Sequence, residues 1–259
     1  MNPKNSNRFE DFFADDAYVS LKNHLYNYLL RRRAVRKQLE KGQDGLVLEV
    51  GSGLSPMAEA SDRIVYSEIS FPALRTLKRR EAAGHYVVAD AGSLPFKSGS
   101  FSQVICSEVL EHLPDDRQAL KQIRSVLKPG GALILTFPHR RSYFAGDDRF
   151  VSHFRRYDLG DMITNLAAAG LEAAGTQKVL GPLEKITMLS IISLVPFFER
   201  LRKMKLARKH KQGALSESLV LLFGWVNRLY CLPVWLDARL APQCLSSVLL
   251  IQAFKRNDR

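Results

Sequence analysis

The sequence predicts an α/β fold built on a mostly parallel sheet, and three strings in a fixed order predict it. They are LVLEVGSGLSP (Leu46 to Pro56), VVADAGSLPF (Val87 to Phe96), and SEVLEHLPD followed by SVLKPGGALILTF (Ser107 to Phe137). The first is an apolar, β-branched run ending in an acid and a glycine turn, the pattern of a buried parallel strand feeding a tight loop. Glycine at that bend lets backbone approach a ligand closely.

Taken in order, the chain opens with a helix around NHLYNYLL that runs into the basic stretch RRRAVRK (Arg31 to Lys37). LVLEV is the first strand. Between Glu49 and Glu68 there is little room for a crossover helix, since Pro56 and MAEASD allow two turns at most. RIVYSEI and HYVVAD, carrying Glu68 and Asp90, are the second and third strands. Gln103 to Ser107 is the fourth, and LKPGG turns the chain into the fifth. Asp158 is placed as the N-cap of a helix that runs through Ile163 to Ala169 and stops at Gly170. Leu171 to Val179 reads as a sixth strand and Ser246 to Arg256 as a closing one.

The glycines do not follow the G-x-G-x-x-G fingerprint of dinucleotide binding, because Gly51 and Gly53 are followed by Leu54, Ser55 and Pro56. The whole series of glycine loop, Glu68, Asp90, LPF, EHLPD and LKPGG, from Gly45 to Glu172, resembles the class I S-adenosylmethionine-dependent methyltransferases. Within them it is most similar to the small-molecule and lipid-pathway group. The resemblance implies a Rossmann-like, seven-stranded, mostly parallel sheet with helices on both faces, to which this chain adds a helical insertion between the last two strands. Residues 1–44 form an N-terminal helical cap in this reading, 45–180 and 246–259 the core, and 181–245 the insertion.

The resemblance also implies a cofactor, S-adenosylmethionine, and places it. Glu49 would hold its ammonium end as a fixed negative charge. Gly51, Ser52 and Gly53 would give the backbone room, Glu68 would accept from the ribose hydroxyls, Asp90 would meet the adenine amino group, and Ala91 would offer its amide to the ring edge. Ser107, ending the fourth strand, completes the set. The plainer alternatives are a solvated strand-end carboxylate for Glu68 and a turn aspartate for Asp90. Ser102 stands where relatives commonly carry an aspartate.

Glu108, Glu111 and His112 are spaced i, i+3 and i+4, so one helical turn would stack them on a common face. The same E-x-x-E-H arrangement resembles that of metal-dependent O-methyltransferases of ubiquinone synthesis and of RNA 2′-O-methyltransferases. His153, in RFVSHFRRYDL, would complete a site for a divalent cation such as Mg. Without a metal, His112, His153 or Tyr157 are the candidates for general base or acceptor clamp. Arg155 and Arg156 could grip an acceptor phosphate or carboxylate, or else pair with Asp147 or Asp148.

Three cysteines, Cys106, Cys231 and Cys244, do not make a disulfide framework, which suits a reducing cytosol. The N-terminus carries no apolar run of signal-peptide length, and no uncharged window reaches the eighteen residues expected of a spanning helix. Between Gly181 and Leu245, ten lysines and arginines against four acids leave +6, half of the formal net charge of +12. That region also holds both tryptophans and long aliphatic runs, broken by Pro196, Arg228 and Pro233 into short segments. Such a mixture suits helices lying on an anionic membrane surface, with RRRAVRK facing the same way; the alternative is a helical lid over the pocket. Nucleic acid is the rival anionic partner, less favoured because stacking aromatics do not interleave the basic stripe. The expectation is therefore a cytoplasmic enzyme, peripheral on the inner face of the membrane. It would O-methylate a small-molecule or lipid-linked acceptor such as a quinone precursor or a lipid-linked sugar. RNA 2′-O-methylation and an inactive cofactor-binding scaffold are the alternatives.

Overall fold

The computed structural model describes residues 21–81, 83–191 and 217–256. Seven strands form one sheet: β1 (Val47–Val50), β2 (Ile64–Glu68), β3 (His85–Val88), β4 (Phe101–Ser107), β5 (Leu127–Pro138), β6 (Leu171–Leu180) and β7 (Val248–Lys255). Their order is β3-β2-β1-β4-β5-β7-β6. β3, β2, β1, β4 and β5 pair in parallel, and β7 runs antiparallel to both β5 and β6. The sheet and its helices have the Rossmann-like architecture that the motifs implied.

Central strands covered on both faces are largely apolar, and VLEV in β1 and IVYSE in β2 are buried at every position, with Glu49, Ser67 and Glu68 as the polar exceptions. Successive side chains then divide between two cores. Leu48, Val104, Leu133, Leu135 and Leu249 point to one face, covered by α3 (Asp116–Val126) and α5 (Leu159–Ala168). Val47, Ile105, Ile134 and Leu250 point to the other, covered by α1 (Tyr26–Leu39), α2 (Phe71–Arg80) and α7 (Glu217–Leu240). Between α3 and α7 the chain also forms the short α4 (Gly146–Phe150) and a helical stretch over 182–191, α6.

The β1–β2 connection contains no helix at all. Its place is taken from the N-terminal side: Tyr28 Oη donates to the Pro56 carbonyl at 2.9 Å and Arg36 Nε to that of Met57 at 3.2 Å, so α1 clamps the loop. α1 in turn packs on α7, with the Tyr26 and Tyr230 rings edge to face at 5.0 Å.

The expected breaks at Arg228 and Pro233 do not occur, and α7 runs unbroken for 24 residues. Pro233 lies on the exposed side, so the carbonyl it frees, that of Leu229, belongs to a residue 71% exposed. The opposite stripe holds the helix in place. Asn227, Val234 and Ala238 are buried; Asn227 Oδ1 accepts from Tyr26 N at 3.2 Å. Asp237 Oδ2 accepts from Leu183 N at 2.9 Å. Pro196 lies outside the described residues, as does the whole basic run RLRKMKLARKHK.

Candidate active site

The carboxyl ends of β1, β2, β3 and β4 lie side by side, which is where open α/β sheets bind ligands. Gly51 turns the chain there with φ +68°, and a Cβ on it would meet Val109 Cγ2 at 2.5 Å. Only glycine fits that bend. The amides of Gly51 and Ser52 both donate to the Ser67 carbonyl, at 2.8 and 3.1 Å. Gly53, with φ +55°, donates its amide to Glu68 Oε2 at 2.9 Å, and Ser70 N donates to Glu68 Oε1 at 3.0 Å. Glu49 is 2% exposed and accepts from Met57 N at 2.7 Å and Ala58 N at 3.0 Å. Burial pushes its carboxyl up to about 7, against those two amides, which favour the charged form. Both acids thus brace the loop with one set of lone pairs. The Ser52 and Ser55 hydroxyls beside them are buried with no hydrogen-bond partner.

Asp90 is exposed, and its Oδ1 accepts from Gly92 N at 2.8 Å. That is an Asx turn, which sets the direction of Ala91 as it leaves β3. Ser107 Oγ shares a 2.8 Å hydrogen bond with Thr136 Oγ1. Lys22 belongs to no motif in the sequence. It lies in the field of Glu68, and burial lowers its pKa to about 8, with Arg31 adding to the fall.

The expected stacking of Glu108, Glu111 and His112 on one helical turn is corrected. Glu108 takes a left-handed conformation, φ +54°, and only a three-residue 3-10 turn, Leu110–His112, follows it. Pro114 forbids more, because the residue before a proline is driven out of helical geometry. Glu108 instead turns to Arg31, Oε2 to Nη1 3.0 Å, and to Thr136. Arg31 therefore does not face lipid, while Arg36 pairs with Glu59 and Arg32 lies over the Tyr28 ring.

Glu111, His112 and His153 do come together, with one ligand atom from each lying within 4.8 Å of the others. The two imidazoles meet edge to face at 4.6 Å, and His153 Nε2 is 3.8 Å from Glu111 Oε1. Glu111 is fully buried and neither of its oxygens has a hydrogen-bond partner. Burial first, then Glu108, holds its carboxyl well above the ordinary range. Behind His153, Asp148 Oδ1 lies 2.9 Å from Nδ1. Burial alone would raise Asp148, but His153, Arg156, the Ala145 amide and Lys185 outweigh it and hold it well below the usual carboxylate range. An ionised Asp148 assigns the proton to His153 Nδ1 and leaves Nε2 facing Glu111. These donors suit a divalent cation of borderline character, and a carboxylate behind a ligand imidazole is the usual support for one.

The remaining candidates fall on the structural side. Arg156 donates to Asp148 Oδ1 at 2.7 Å and Lys185 to both Asp147 oxygens at 2.6 and 2.7 Å, a buried network that fixes α4 beneath α6. Tyr157 is 3% exposed and donates its hydroxyl to Asp116 at 2.6 Å. Burial pushes that hydroxyl above its ordinary range, so it is no base. Asp158 holds the N-cap position, yet its carboxylate accepts from Arg141 N at 3.2 Å and caps nothing. Glu184, buried on α6 in the field of Arg156, Glu108 and Arg31, carried no motif.

Residues 48–135 match the family model described as a methyltransferase domain. The demethylmenaquinone methyltransferase of Paenarthrobacter aurescens is 36% identical over 101 residues, 38% of this chain and 40% of its own length. The malonyl-[acyl-carrier protein] O-methyltransferase of Pseudescherichia vulneris is 29% identical over 125 residues, 47% of each chain. The chain thus spans less than half the length of these two relatives. Among solved structures, an S-adenosylmethionine-dependent methyltransferase from Mesorhizobium loti superposes with a TM-score of 0.55 at 13% identity, over 86% of this chain and 96% of that one.

Proposed function

We propose that this chain, whose residues 48–135 match a methyltransferase domain, is a class I S-adenosylmethionine-dependent enzyme that methylates an oxygen of a lipidic or lipid-linked small molecule at the inner surface of a membrane. The observation that carries the acceptor class is the outer face of α7. Leu221, Trp225, Leu229 and Leu240 are 62, 62, 71 and 82% exposed, and Ile186 on α6 is 61% exposed. Only 17% of the most apolar stretch of Ser218–Leu240 is buried. A water-facing helix loses the free energy of that apolar surface, roughly 25 cal/mol per Å2, unless something covers it. By length and composition the helix could cross a bilayer. Its other stripe is fastened to α1 through Asn227 and Tyr230, so it lies along the interface. The basic run between α6 and α7 adds attraction to anionic headgroups. The names of the two relatives, one acting on a quinone precursor and one on a carrier-linked acyl chain, lean the same way.

S-adenosylmethionine supplies a methyl group on a sulfonium that is already a good leaving group. The chain's part is to position, exclude water and manage one proton. Glu49 meets the ammonium end, and an arriving cation favours its ionised form. The bend at Gly51 keeps backbone clear, while Glu68, Asp90 and the Ala91 amide orient the nucleoside end. His153 takes the acceptor hydroxyl proton at Nε2, with Asp148 holding Nδ1 and stabilising the imidazolium. Should a divalent cation be used, Glu111, His112 and His153 would hold it, and it would supply Lewis acidity to the acceptor oxygen.

The test is methyl-labelled S-adenosylmethionine with the full chain and anionic liposomes carrying a bacterial lipid extract. Label entering the organic phase, and falling when Leu221, Trp225 and Leu229 are changed to serine, is expected. Label entering added RNA and never lipid would overturn the acceptor class.

A further inference from the structure

A cavity of about 480 Å3 lies between α3, α5 and the segment 141–157, and Phe154 on its wall donates its amide to the Glu111 carbonyl at 2.8 Å. Sites for small ligands start at roughly 300 Å3. Arg117, Arg141, Phe144, Phe154, Arg155 and Thr164 line it. Arg141 pairs with Asp161 at 3.0 Å and Arg155 with Asp116 at 3.3 Å. Asp116 also receives the Tyr157 hydroxyl at 2.6 Å, so its charge is shared. Arg117 has no ion pair or hydrogen bond among the described residues. Arg156 reaches the cavity too, but its charge is answered by Asp147 and Asp148. Three arginines against two aspartates leave one positive charge uncompensated. Beside it, the Phe154 ring is 46% exposed and Phe144 lies under the Arg149 guanidinium.

One surplus guanidinium charge next to two aromatic rings matches one kind of ligand. We propose that this cavity is a binding subsite for an oxyanion, carboxylate or phosphate, carried on a flat apolar group. The segment 153–157 gives His153 to the reaction side and Phe154 and Arg155 to the cavity. The bound oxyanion is accordingly the anionic end of the methyl acceptor, an assignment that rests on the methyl transfer proposed above.

Calorimetry on the full chain with benzoate and, separately, phenyl phosphate tests the subsite without any acceptor. At least one of the two should saturate, and the tighter one says whether a carboxylate or a phosphate is preferred. Arg117→Ala and Arg155→Ala should each weaken that binding roughly tenfold, the loss expected for one charge-assisted hydrogen bond. Neutral benzamide should not compete. Binding of S-adenosylmethionine by the same variants should be unchanged, so a failed subsite and a failed methyltransferase reading give different results. No saturable binding of either anion, equal binding of benzamide, or undiminished affinity in both arginine variants would overturn the proposal. Arg117 is exposed, so its replacement leaves the fold intact even if loss of Arg155 disturbs it.

Discussion

Glu68 and Glu111 are both buried carboxylates beyond the carboxyl ends of central strands, and they are treated in opposite ways. Glu68 receives two backbone amides, from Gly53 and Ser70. Glu111 receives none. A buried carboxylate without donors is costly, so the Glu68 loop is finished without a ligand, while at Glu111 burial and Glu108 hold the carboxyl toward its protonated form. The first arrangement holds a loop in shape. The second leaves two carboxyl oxygens in reserve, as the proton exchange or cation binding proposed above requires.

Breaking the support behind the acceptor side should have the largest effect. Asp148→Asn removes the nearer carboxylate partner of Arg156, takes one of the two from Lys185 and frees His153 to turn. Truncating one member of a buried ion network typically costs about 3–5 kcal/mol. Urea denaturation should show a loss of that size, and labelled methyl transfer should drop with it. A variant of undiminished stability would mean that Asp147 alone can answer both cations.

Glu68→Gln probes the finished side and should cost less, about 1–3 kcal/mol, because one loop amide then faces an amino group in place of an oxygen. S-adenosylmethionine affinity measured by calorimetry should fall in the same variant, as the ribose end loses its acceptor. Stability lost with affinity retained would assign Glu68 to the loop alone.

The same contrast explains what was legible in the sequence. Strands such as VLEV and ALILTF are buried on both faces, so their apolar runs leave little freedom of interpretation, and the glycine bend and its acids follow directly. The turn at 108–112 departs from the spacing argument because i, i+3, i+4 spacing presupposes an α-helix, and Pro114 limits that stretch to one 3-10 turn. Arg31 could not be assigned to Glu108 from sequence, since a contact between residues so far apart along the chain depends on how α1 packs. Glu184 and Lys185 were hidden for another reason: they sit in a stretch whose composition speaks of lipid, and composition averages away single buried charges. His153 stands out in the sequence through its neighbours, and the structure sets it beside Glu111 and His112, while Tyr157 from the same string donates to Asp116.

A smaller effect, opposite in sign, sharpens the comparison. Glu111→Gln removes no hydrogen bond, since neither oxygen accepts one, and it removes a group whose folded pKa stands well above its ordinary 4.5. Between 4.5 and that raised value the folded wild type binds more protons than the unfolded chain, so its stability falls as pH rises through the window. Glutamine does not titrate. The variant should therefore match the wild type at pH 4 and be the more stable of the two at pH 8, a gain that grows with pH and is read from paired thermal melts. Labelled methyl transfer should fall in the same protein, because the group that destabilises the fold is the one kept in reserve beside His153. Should Glu111→Gln be less stable at both pH values, the carboxylate has a partner in solution, and the distinction between the two ends of the site disappears.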